Sequence, residues 1–147
     1  MKVIFIAFFF SLSVFAYEVD VNRYSSSLDF AQVMHVKASQ MDDESWCFKT
    51  SVMHNDQGWG HYADGWEVLD LNGKQLGYRL LTHPHDNEQP FTRRLCDIKI
   101  AQGITQVIVR AKCNKHSFGG KTLRIDLNIP VGSDYSVTRV NERSFTQ

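Results

Sequence analysis

The sequence predicts an all-β fold: a two-sheet antiparallel β-sandwich of about seven strands, immunoglobulin- or fibronectin III-like in architecture. Three observations predict it. Short segments alternate apolar and polar residues with period two. An Asn-Gly pair lies between two strand-like runs. The 3 prolines and 9 glycines of the 147 residues are sparse and fall between those runs.

The N-terminus is read first, because it is set apart from the fold. Lys2 precedes an apolar run from Val3 to Phe10, and Val14-Phe15-Ala16 ends it with a small-residue site. That is the pattern of a cleavable signal peptide, residues 1–16. The run is short of the roughly 20 residues that a membrane span needs, and no cysteine follows Ala16 for a lipid anchor. Residues 17–130 are expected to form the sandwich, and residues 131–147 a loose, polar C-terminal tail.

Strands are expected at about 32–40, 45–54, 65–71, 74–82, 91–100, 105–113 and 121–129. For the first, a helix over 28–38 is the alternative. In the second, Trp46, Phe48, Thr50 and Val52 share one face. The third and fourth flank Asn72-Gly73, expected to be a two-residue hairpin turn because both residues tolerate positive φ. In the fifth, Ile98 and Ile100 alternate with Asp97 and Lys99. In the sixth, Val107, Val109 and Ala111 alternate with Ile108 and Arg110. In the seventh, Leu123, Ile125 and Leu127 alternate with charged or polar neighbours.

Without Lys2, 15 basic residues face 16 acidic ones. That balance argues against a nucleic-acid partner. Of Cys47, Cys96 and Cys113, none forms a C-x-x-C pair. An oxidising compartment permits one disulfide, and Cys47–Cys113 is the pairing expected first. Cys47, Trp66 and Cys113 follow the immunoglobulin Cys–Trp–Cys order, although Cys47 is out of phase with inward Trp46 and Phe48.

Antiparallel strands send alternate loops to opposite ends. Loops 55–64, 83–90 and 114–120 should therefore share one end, bringing together His54, His61, His83, His85 and His116 and leaving only His35 apart. The same loops carry Asp56, Asp64, Glu88, Trp59, Tyr62 and Arg93. Imidazoles suit transition metals, and copper or zinc is the expected cofactor. To share one ion, at least three of the five rings must approach within about 4–5 Å, with His83 and His85 turned towards His54 and His116. Glu88 and Asp64 are expected to orient the ligands. Arg93 is expected to pair with Glu88 or Asp86, with an anionic ligand as the alternative partner. A metal-free reading uses the same loops to hold a small polar ligand, a protein or a glycan, with Trp59, Tyr62 or Trp66 as a stacking platform. A hydrogen-bonded network that only staples the loops is the third reading. No nucleophile, zinc-protease, P-loop or dinucleotide motif is present, so an enzyme is not favoured.

The run His54-x-Asp56-x-Gly58-Trp59-x-His61-Tyr62-Ala63, with His83-Pro84-His85-x-x-Glu88-Gln89-Pro90-Phe91-Thr92, resembles a family of short exported bacterial proteins of no established activity. The resemblance covers about residues 46 to 129. It implies a periplasmic or secreted setting and transfers no site residues.

Overall fold

In a computed structural model, residues 18–140 are described. The expected signal peptide and the end of the expected tail lie outside them. The described residues form nine strands: β1 (Gln32–Gln40), β2 (Trp46–Met53), β3 (Ala63–Leu69), β4 (Gln75–Leu80), β5 (Phe91–Ile98), β6 (Gln106–Cys113), β7 (Ser117–Phe118), β8 (Leu123–Asp126) and β9 (Tyr135–Thr138). One sheet runs β5-β2-β1-β9; the other runs β4-β3-β6-β7, with β8 also paired to β6. The expected two-sheet sandwich is what the chain folds into, and residues 32–40 are strand rather than helix.

The core is made by the residues that alternate inwards. Trp46, Phe48 and Val52 from one sheet meet Trp66, Val68, Val107, Val109 and Ala111 from the other. At about 1.5–3 kcal/mol for each fully buried large side chain, this layer is the main source of stability. Ile108 and Leu69 are buried as well, although they alternate away from that layer.

Three expectations are corrected. The first concerns the turn after β3. Gly73 has φ 81°, its N–H donates to the Asp70 carbonyl, and Asp70 and Lys74 close the loop. The hairpin therefore has three loop residues rather than two. Asp70 fixes it by accepting from the Asn72 and Lys74 N–H groups, each at 2.9 Å. The second concerns the tail. Residues 135–138 are not loose: β9 pairs in parallel with β1, from Val36↔Tyr135 to Ser39↔Thr138.

The third is the disulfide. Cys47 bonds Cys96 on the neighbouring strand of the same sheet, and Cys113 is a free, buried cysteine. The reason is the phase of β2. Trp46, Phe48, Thr50 and Val52 point between the sheets, so Cys47 faces outwards, where β5 is its neighbour and β6 is out of reach. The β2–β5 register shifts between Trp46 and Phe48, which sets Cys47 beside Cys96.

Candidate metal centre

The end of the sandwich expected to gather the histidines does bring its loops into contact. Asn114, just after β6, clamps the loop that follows β2. Its N–H donates to the Tyr62 carbonyl, its Oδ1 accepts from the Tyr62 N–H at 3.0 Å, and its Nδ2 donates to the Trp59 carbonyl at 3.0 Å. The third loop joins through Asp86, which accepts from the Gly58 N–H at 3.1 Å.

Within this frame His54, His61 and Cys113, all buried, offer ligand atoms that lie within 4.8 Å of one another. His116 closes the group from the solvent side. Its Nδ1 is 3.2 Å from His61 Nε2 and 3.9 Å from Cys113 Sγ, and its own N–H donates to that sulfur at 3.2 Å. One thiol and two imidazoles converging below the surface could hold a transition metal, with the exposed His116 beside them.

Asp56 orients the innermost ligand. Its Oδ1 lies 2.6 Å from His54 Nδ1, which turns Nε2 towards the cluster. Burial pushes the Asp56 carboxyl up, but the His54 hydrogen bond and the Ala63 and His85 N–H groups outweigh it and hold the pKa below the ordinary value. Those N–H groups lie 3.0 and 2.7 Å away. A carboxylate behind a ligating histidine is the usual arrangement for fixing tautomer and ring direction.

His83 and His85 are not part of this group, contrary to expectation. His85 is buried flat against Phe91, with ring centroids 3.8 Å apart and planes 6° from parallel, and His83 lies beside it at 4.5 Å with its plane tilted by 35°. Proline at position 84 and the apolar Phe91 face favour stacking over convergence on an ion. Both ring nitrogens of His85 are buried without a hydrogen-bond partner. Burial, with Arg93 and His83 nearby, lowers its pKa.

Asp64 and Glu88 do not orient ligands either. Lys112 takes Asp64 at 2.9 Å, and Arg93 takes Glu88 at 3.2 Å; the latter pairing was expected. Trp59 is two-thirds exposed and meets Tyr62 edge-on at 5.7 Å. His35 is exposed on β1, away from the loops. Cys113 is the ligand candidate that reading the cysteines as a disulfide passed over. The spacing Cys113-x-x-His116 is the signal that marks it.

The chain is 36% identical over 104 residues to a protein of Halomicrobium mukohataei described as a "Putative lipoprotein". The match takes in 69% of this chain and 51% of that protein, so the chain spans about half the length of the relative. No family model matches the chain. No solved structure matches it.

Proposed function

We propose that this is an exported metal-binding protein whose sandwich holds one copper or zinc ion through His54, His61, Cys113 and His116. The observation that carries the reading is the buried thiol set among imidazoles within ligand range. Supporting it, Asp56 presents His54 in the tautomer that a ligand needs. A buried cysteine left out of the disulfide in an exported chain is also accounted for by ligation. Export rests on the sequence of residues 1–16, and the description of the relative as a lipoprotein is consistent with it. Among the described residues, no helix is long and apolar enough to cross a membrane.

The test is titration of chelator-stripped protein with copper and zinc, followed by metal analysis. One ion per chain is expected. Copper should give an intense thiolate-to-metal absorption band that Cys113→Ser removes. His61→Ala should weaken binding of either metal, while His83→Ala and His35→Ala leave it unchanged. Affinity should fall as pH drops through the histidine range, since the ligands must be deprotonated. Absence of binding at micromolar metal would defeat the proposal. The exposed Trp59 favours a second reading, a protein- or glycan-binding rim at the same end. Loss of a partner in Trp59→Ala with metal content intact would separate the two.

A further inference from the structure

The side chains are not the only donors at the centre. The main-chain carbonyl oxygen of Asp29 lies 3.3 Å from His54 Nε2, 3.3 Å from His61 Nε2, 3.4 Å from Cys113 Sγ and 3.1 Å from His116 Nδ1. Four candidate ligand atoms, two from the loop after β2 and two from the β6–β7 hairpin, thus lie around one oxygen. Hydrogen bonding alone does not account for all four contacts. A carbonyl oxygen has two lone pairs, so at most two of the four contacts are hydrogen bonds of ordinary quality. With its Nδ1 donating to Asp56, a neutral His54 ring turns the Nε2 lone pair towards this oxygen. A cation bound between the two would satisfy both.

The spacing fits that cation. Ligands held about 2.0–2.3 Å from an ion and separated by about 90–110° lie roughly 2.9–3.6 Å from each other. All four distances to the Asp29 oxygen fall in that interval. The oxygen therefore stands as one more vertex of the coordination polyhedron rather than as an obstruction within it.

The chain also builds a holder for this carbonyl. Residues 25–30 form a strap across the mouth of the cluster, and buried Gln32 gathers it. Gln32 Nε2 is 3.0, 2.9 and 2.9 Å from the carbonyls of Ser25, Ser27 and Phe30, while its Oε1 accepts from the Lys121 N–H at 2.8 Å. The Leu28 carbonyl accepts from the Asn55 N–H. The neighbouring carbonyls are occupied, and that of Asp29 is turned to the centre.

We propose that the Asp29 carbonyl oxygen is a ligand of the metal, making a centre of three imidazoles, one thiolate and one main-chain oxygen. The inference rests on the metal reading above and adds a ligand to it. Five donors exceed the four that a closed structural zinc site takes. Thiolate and imidazoles with a weak backbone oxygen are a set that copper uses. Copper is accordingly the ion that this donor set favours over zinc.

The experiment uses full-length mature protein with 13C at the aspartate carbonyl, loaded with copper(II). A parallel cobalt(II) sample ensures that reduction of copper by the thiol does not silence the readout. Electron–nuclear double resonance should show an isotropic 13C coupling, which requires a bond to the metal. In Asp29→Asn the position-29 carbonyl carries no label and the exposed side chain changes little, so metal should still bind and the coupling should vanish. A coupling that survives in Asp29→Asn, or a purely dipolar one in both metal forms, would overturn the inference while leaving the metal site standing. Failure of either ion to bind would overturn both.

Discussion

At the scale of single residues, Asp56 and His85 show how one buried acceptor serves two histidines unequally. Asp56 satisfies the His54 ring and two N–H groups. In Asp56→Ala those donors are left unpaired, and each stranded group costs about 1–3 kcal/mol. Metal affinity should fall on the order of 10- to 100-fold as His54 loses its orientation. Chemical denaturation and metal titration of the same variant measure the two effects. His85 gives a pH dependence. Its pKa is lowered on folding, so the unfolded chain binds more protons below about 6.5. Stability is therefore fully present above that pH and declines as pH falls from there towards the folded value. Denaturation midpoints should drop between pH 7 and pH 5, and His85→Leu should drop less over the same interval.

The residue scale is also where the sequence was least legible. The histidine-bearing loops follow from strand alternation alone, so their meeting could be read. Which imidazoles face an ion and which stack depends on side-chain direction within loops, and period-two patterns say nothing there. Thus His54, His61 and His116 converge while His85 lies against Phe91 and His83 against His85. Cys113 needed only its spacing to His116 to be noticed. The Asp29 carbonyl leaves no trace in the sequence, because every residue has a carbonyl.

At the scale of elements, the strap over residues 25–30 and the turn at 119–121 hold each other. The Ser25 N–H donates to the Gly119 carbonyl at 2.8 Å, and the Val33 N–H donates to Lys121 at 2.9 Å. Gly120 permits the approach: a Cβ there would run into the Ala31 carbonyl. Backbone cannot step aside as a flexible side chain can, so Gly120→Ala should displace the strap. Gln32→Ala should loosen the same strap by removing its central donor. Both variants should release metal faster, and Gln32→Ala should weaken binding on the order of 10-fold. Stopped-flow chelator competition would measure both. Equal off-rates in wild type and Gln32→Ala would separate the strap from the centre. The strand pattern of β2, β6 and β8 was readable because each alternates cleanly. β9 was not, since a four-residue parallel edge strand carries too short a pattern to stand out from a polar tail.

At the scale of the whole molecule, the disulfide and the candidate metal centre are independent devices. Cys47 and Cys96, 49 residues apart, tie β2 to β5 within one sheet, whereas the centre sits where the loops of both sheets meet. By loop entropy, a bridge of that span contributes about 4 kcal/mol. The double variant Cys47→Ala/Cys96→Ala should lose roughly that much stability and still bind one equivalent of metal at the unchanged Cys113. Calorimetry and metal analysis on the same sample check the pair of outcomes.

The placement of the donors has a temporal consequence. Asp29 and His116 are 87 positions apart, with His54 and His61 between them and Cys113 near the far end. Contacts of such long sequence separation are made late, after the intervening chain has closed its loops. A nascent chain would therefore offer an ion only isolated imidazoles and a mobile thiol. The full donor set exists only once the first turn, the middle loop and the last hairpin have docked. Occupancy of such a centre would then report that folding is complete, and a bound ion would, by mass action, resist the first step of its reversal.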